Sequence, residues 1–469
     1  MPLVGAAVLA YAAGLLSGYG DAAAWTIAAG IGVVWLCARQ RRERLALGAV
    51  AVAGLSVAVV GRRERDACQE RLARADSLEI TLGADASPGA FVSGRHACGV
   101  AVRIAVDTGS APGGARLVAR GQVTAARGGV ILMHAHVRKL SGPEILPRFR
   151  ADVARRLDSL FGERAPLVRA LLIADMQDLS PTLRDRFAAA GLSHMLSVSG
   201  LHVGLIAVAV ALIAQLLGMA RGRGDAVVVI VTTVYVVVIG APLPAVRAAA
   251  MLGAYSLGRA VQRPTSPWAV LAIGAVLPLV DSRSVTDVGY QLSVVGMVAL
   301  VAAGSITRRW SWTSERGWRG MLYRSLVTST IATGLTAPLV AATFGRISLV
   351  APVSNLVAVP VMAVLQPMLF LVALLLPLET AARFVADACV PLLAAVDWIA
   401  SLAARLPGAS VNVVADQTAI AIACVAGVAM VVAAVSRFPG RALVAGLACI
   451  ALLIWRPLIP ARAELTELH

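Results

Sequence analysis

The 469-residue sequence is poor in charge: Asp, Glu, Lys and Arg make up only 14% of it, against 58% hydrophobic residues. A soluble core of this size would need far more charged surface, so a water-soluble globular protein is excluded. Lysine is almost missing, Lys139 being the single example. A Walker A loop requires Gly-Lys-Ser/Thr, and Lys139 stands in "VRKLS", so the sequence contains no standard P-loop. Aromatic residues are scarce as well, and Phe91 is the only one between residues 62 and 140. Residues 1 to 19 hold neither Lys nor Arg and further apolar segments follow, so they are expected to remain as a membrane span and not to leave as a signal peptide. Beyond His202 the sole histidine is His469, which leaves "SVSG" without a later general base and removes an intramembrane serine protease from contention.

What the chain does have is apolar length. Stretches near the ~20 residues that cross hydrocarbon recur at 3–19, 23–38, 45–60, 200–219, 226–241, 243–262, 268–281, 286–305, 321–342, 355–377, 381–404, 417–435 and 441–457. They predict a mainly α polytopic membrane protein with about 11–13 transmembrane helices. With the N-terminus cytoplasmic, alternation puts the arginine clusters at 39–44, 221–223, 259–263, 308–319 and 437–441 on the cytoplasmic side. The net charge of +16 therefore follows from membrane insertion and does not by itself call for nucleic acid. The same parity places the C-terminus and the long polar segment after residue 61 outside.

That outer segment changes period. Val100, Val102, Ile104 and Val106 alternate with Ala101, Arg103 and Ala105, the signature of a half-buried strand. Further strands are expected near 78–83, 89–95, 115–123 and 129–138, separated by "DASPG", "DTGSAPGG" and "ARGG" turns. Five short strands suit a small barrel of the oligonucleotide-binding type, with a small sandwich as the alternative. Arg103, Arg120 and Arg138 offer charge, but one aromatic is too few for a stacking groove. Cys68 and Cys98 are the only cysteines outside the apolar segments; either they form a disulfide closing a loop of about 30 residues or both remain free thiols. "HAHVRK" begins like the HxHxDH metal motif of metallo-β-lactamases, but Arg138 and Lys139 replace its Asp and His, so two solvated histidines on one strand are expected. Residues 146–190 read as amphipathic helices lying at the membrane interface, the last with Ser180 at its N-cap, Pro181 at its first position and Gly191 ending it.

Residues 191 to 206, "GLSHMLSVSGLHVGLI", open the next apolar run with polar groups that are costly at membrane depth. Gly200 and Gly204 form a small-xxx-small pair suited to close helix packing. His194 and His202 share one side if a single helix runs through both. "LSHMLSVSGLHVGL" closely resembles the signature of the ComEC family, inner-membrane channels that pass transforming DNA into competent bacteria. The resemblance continues in "YVVVIGAPLPAVRAAAM" (235–251), "DVGYQLSVVGMVAL" (287–300) and "ATFGRISLVAPVSNLVAVPV" (342–361). Upstream, "ALLIADMQDLS" is similar to the family's LLLGD stretch, with Ile173 and Ala174 replacing the usual Leu and Gly.

The resemblance implies a layout: N-terminal transmembrane helices at 1–61, an extracytoplasmic OB-like domain at 62–145, the interfacial helices at 146–190, a competence-type channel domain at 191–457 and a tail at 458–469. It implies uptake of single-stranded DNA through the plasma membrane during natural competence. Its partners would be an extracytoplasmic DNA receptor, a cytosolic motor or single-strand-binding protein, membrane lipid and, since no HxHxDH occurs here, a separately encoded nuclease; association with further copies of itself stays open. No cofactor, metal or enzymatic activity is implied. Ser197, Ser199, His202, Arg247, Gln291 and Asn355 are the candidates for the DNA path, Arg247 foremost because Pro242 and Pro244 free carbonyls beside it. Pro352 and Pro360 around Asn355 predict an interrupted helix. A transporter of a lipid or small anion on the same scaffold is the competing reading.

Overall fold

The computed structural model describes residues 3–19, 41–308 and 317–413, apart from 84, 127–128, 143–144 and 264; the spans expected at 23–38, 417–435 and 441–457 lie outside the described residues. Helices form at every other expected span. They are α1 (Leu3–Tyr19), α2 (Arg41–Ala73), α6 (Gly200–Leu216), α7 (Arg221–Val238), α8 (Leu243–Ala260), α9 (Pro267–Val276), α10 (Val288–Thr307), α11 (Trp318–Phe344), α12 (Ala351–Leu375) and α13 (Glu379–Arg405). Of the described helices, α2, α10, α11, α12 and α13 are long and apolar enough to cross a membrane, and shorter apolar helices cover Ala6–Tyr19, Gly200–Leu216 and Pro267–Val280. The chain is a multi-pass membrane protein. Local chemistry sets the ends: Pro244, Pro267 and Pro352 sit in first turns, Asp287 accepts from the Tyr290 amide at 2.7 Å, and Gly345 ends α11 with φ +63°. Asn355 lies inside an unbroken α12, so the interrupted helix is corrected: Pro352 falls where a missing amide costs nothing, and Pro360 is carried within the helix.

Helices α1 and α2 run in parallel, Ala6 and Ala10 packing on Leu47 and Gly18 on Ala58. Their seam admits no side chain. A Cβ at Gly14 would stand 2.0 Å from the Ala51 carbonyl oxygen, and one at Gly54 would stand 2.4 Å from that of Tyr11. Helix α2 continues past its apolar part to Ala73 and hands the chain to the barrel.

The barrel consists of β1 (Ser77–Leu82), β2 (Phe91–His96), β3 (Ala101–Thr108), β4 (Arg116–Ala126) and β5 (Gly129–Ser141), closed in the order β1-β2-β3-β5-β4 with β3 and β5 parallel. Closure decides against the sandwich, and the OB-like barrel stands. Val100, Val102, Ile104 and Val106 all point into its core, as their alternation predicts. Cys68 and Cys98 are joined, tying the end of α2 to the β2–β3 turn. The Arg283 guanidinium donates to the Cys98 carbonyl at 3.2 Å, which docks that turn on the loop between α9 and α10.

Residues 145–190 depart from expectation. Helix α3 (Ile145–Phe161) is amphipathic, burying Val153, Leu157 and Phe161, but α4 (Ala165–Ile173) is buried on nearly all sides. The segment is tied to α12 at three levels: Ser354 Oγ donates to the Ala190 carbonyl (2.6 Å), Gln366 Nε2 to Leu171 (3.2 Å) and Arg156 to the Leu376 carbonyl (3.0 Å). Residues 354 and 376 are about 33 Å apart at 1.5 Å per residue, comparable to the hydrocarbon thickness. The segment therefore runs beside α12; apolar periodicity marks a buried face without saying what buries it. α5 (Pro181–Ala189) keeps its expected cap, Ser180 Oγ accepting from the Leu183 amide, and Gly191 takes φ +73° just beyond it.

The buried end of α4 would leave carbonyls unpaired, and three different helices supply donors. Gln366 of α12 bonds Leu171, the Tyr235 hydroxyl of α7 bonds Leu172 at 2.8 Å, and Arg150 of α3 bonds Ile173 at 3.2 Å. Arg169 bonds Asp178 and lies 3.4 Å from Asp158 and 3.7 Å from Asp175. Tyr235→Phe leaves the Leu172 carbonyl without its donor in a buried setting. It is expected to lower stability by about 1–2 kcal/mol, read as a reduced melting temperature in detergent.

Candidate functional site

The polar stretch that opens α6 does not form one helix. After the helical turn Ser193–Leu196 the chain is extended at Ser197, and α6 begins at Gly200 with Ser199 as its N-cap. His194 and His202 therefore do not share a helix face. His202 is fully buried, and its Nδ1 stands 3.0 Å from Ser199 Oγ and 3.2 Å from the Ser199 amide, a capping box built with a histidine. Ser197 is exposed beside this cap.

Two of the resembling motifs meet at the entry to this turn. The Ser348 hydroxyl, in the short strand β6 (Arg346–Ser348), donates to the Ala189 carbonyl at 2.7 Å, and Ser354 donates to that of Ala190. A Cβ on Gly191 would fall 2.9 Å from the Cα of Ala351, so both motifs require the glycine. β6 pairs with β7 (Ser410–Asn412), which closes the outer edge of this contact. The arrangement is structural: every hydroxyl is spent on a helix-end carbonyl.

Arg247 stands apart. It lies in the first turns of α8, is only 2% exposed, and lines a cavity of about 270 Å³ with Gly200, Val203, Gly204 and Ala207 of α6 and Ala248, Met251, Leu252 and Tyr255 of its own helix. Met297 of α10 closes one side. Its Nε and Nη1 are buried with no hydrogen-bond partner, and no carboxylate pairs with it among the described residues. Gly274 of α9 makes room for it, since a Cβ there would stand 3.0 Å from the arginine Cγ and 2.4 Å from the Met251 Cγ. Burying an unpaired cation is costly, and this one borders an apolar groove while its two unpartnered nitrogens are closed off from solvent.

Gly200 and Gly204 also line that groove. A Cβ on Gly204 would meet nothing within 4 Å, and one on Gly200 would make only an ordinary contact with Ala248. The expectation of a tight packing seam here is corrected: the two glycines keep a space open, and the seam that excludes side chains is at Gly14, Gly18 and Gly54. Nothing in the spacing separates the two cases, because only the neighbouring helix decides whether a small residue is touched.

Of the six expected path residues, Arg247 alone lines the cavity. Gln291 Nε2 donates to the Val285 carbonyl at 2.8 Å, and Asn355 Nδ2 meets Ser329 Oγ at 3.3 Å, an α12–α11 contact. Ser199 and His202 serve the cap. Not every polar atom is spent in this way: His202 Nε2 and Asn355 Oδ1 are buried without a partner, and Ser197 is exposed. Sequence reasoning missed Tyr255, Met251 and Gly274; the first two repeat Arg247 at intervals of four along α8, a signal present in "RAAAMLGAY".

A family model described as "Competence: Competence protein" matches residues 171–438, more than half of the chain. The chain is 27% identical over 195 residues to ComE operon protein 3 of Bacillus subtilis (strain 168), covering 41% of this chain and 24% of that protein. It is 30% identical over 240 residues to competence protein ComA of Neisseria gonorrhoeae, covering 47% of this chain and 32% of that one. The matched stretches thus span about a quarter to a third of these relatives' length. No solved structure matches.

Proposed function

The chain belongs to the competence protein family, and from that premise we propose that it acts in DNA uptake by passing a single strand through the plasma membrane along the groove between α6 and α8. The observation that carries the reading is Arg247, a buried cation with two unpartnered nitrogens that lines a cavity whose α6 wall is built from glycine, alanine and valine. A phosphodiester supplies the missing charge and the acceptors. The arginine clusters support a cytoplasmic N-terminus with the barrel and the C-terminus outside. An extracytoplasmic DNA receptor then delivers the strand, and a cytosolic motor or binding protein withdraws it, since the sequence holds no Walker A lysine.

The test combines loss of the gene with a variant that only fills space. Deletion abolishes uptake of labelled DNA, and Gly204→Leu, which projects a side chain into the groove, lowers uptake about tenfold while membrane insertion is retained. Normal transformation in the deletion strain sinks the reading. The apolar lining around a single arginine also suits an anionic lipid. Undiminished DNA uptake together with lost lipid binding in Gly204→Leu selects that second reading.

A further inference from the structure

On one stripe of α8, Arg247, Met251 and Tyr255 follow one another at intervals of four and all line the groove. Tyr255 is 47% exposed although it forms part of the cavity wall. The guanidinium carbon of Arg259 lies 5.9 Å from its ring centroid, and Arg259 is held in turn by Asp225 at 3.5 Å. Arg259 is not a wall of the groove, so the ring is braced by a cation outside it while still bordering the cavity that Arg247 also lines. The Tyr255 hydroxyl has no hydrogen-bond partner among the described residues, which leaves the ring itself as what the residue presents.

We propose that Tyr255 is a stacking platform for a base of the strand whose backbone meets Arg247. The inference rests on the reading of this groove as the DNA path. Arg247 and Tyr255 are about 12 Å apart along α8, so the stacked base belongs to a neighbour of the nucleotide whose phosphate is bound. An aromatic platform binds every base by its π-face, and an apolar groove with one phosphate contact reads no base edge. Uptake through it is therefore indifferent to sequence but sensitive to the presence of bases.

The test compares two probes on the full-length protein in detergent: a thymidine oligomer and an abasic phosphodiester oligomer of equal length. Tyr255→Leu, which keeps an apolar side chain, weakens thymidine-oligomer binding about tenfold and leaves abasic-oligomer binding unaltered. Tyr255→Phe, which keeps the ring, restores the wild-type value for the base-bearing probe. A strand carrying 5-iodouracil crosslinks to Tyr255 under ultraviolet light. Equal loss of both probes in Tyr255→Leu, or loss of neither, overturns the platform. If Arg247→Gln leaves the binding of both probes unchanged, the DNA-path reading itself fails, whatever Tyr255 does.

Discussion

Arg247→Gln lowers DNA transfer by about ten- to a hundredfold, the loss of one charge-assisted contact to phosphate, while the protein still inserts and unfolds no earlier than the wild type. The two readouts pull apart because of where the charge sits. Arg247 is 2% exposed, with two nitrogens lacking partners and no carboxylate beside it among the described residues. Such a cation costs desolvation energy that nothing in the described fold returns, so replacing it with a neutral amide is expected to stabilise by about 1 kcal/mol or more. A residue kept for structure behaves in the opposite way, its removal lowering the melting temperature. Measuring transformation frequency and thermal unfolding on the same variant decides between the two. Unchanged transfer removes Arg247 from the path, and a marked fall in melting temperature assigns it to packing.

The second large effect is on stability. Gly14→Val is expected to cost about 3 kcal/mol, because its Cβ alone would lie 2.0 Å from the Ala51 carbonyl oxygen, backbone that cannot step aside without separating α1 from α2. Gly204→Ala is the control: with nothing within 4 Å of the new methyl, it is neutral or gains up to about 1 kcal/mol from helix propensity. Thermal unfolding in detergent measures both, and equal behaviour of the two substitutions overturns the assignment of the seam. The Gly14 loss should spread to the barrel. Tyr19 at the end of α1 bonds Ser282 at 2.7 Å and accepts from Arg62 at 3.0 Å, the neighbourhood through which Arg283 holds the Cys98 turn.

Much of the fold was legible in advance for a definite reason. A span in lipid must bond its own backbone and present apolar side chains for about 20 residues, so hydropathy alone located ten helices that are described, from α1 to α13. A small barrel must alternate, and the five strands appeared close to where alternation put them. The Ser180 cap and the Gly191 stop are likewise local rules. The site was less legible. Ser199 and His202 looked like pathway residues because polar groups are rare at this depth, but a helix start that must satisfy its own amides explains them as well.

The sequence by itself determined the membrane class, the approximate places of most helices and strands, the barrel and the family signature, since each depends on periodicity or on residues close in the chain. The tertiary structure alone decided which small residues are touched, that residues 145–190 run along α12, and that Arg247 is the one path candidate lining the cavity between α6 and α8. A glycine, a serine or an arginine has the same local preferences wherever it stands. Whether it is a seam, a cap or a binding group depends on what a distant segment brings within about 4 Å of it.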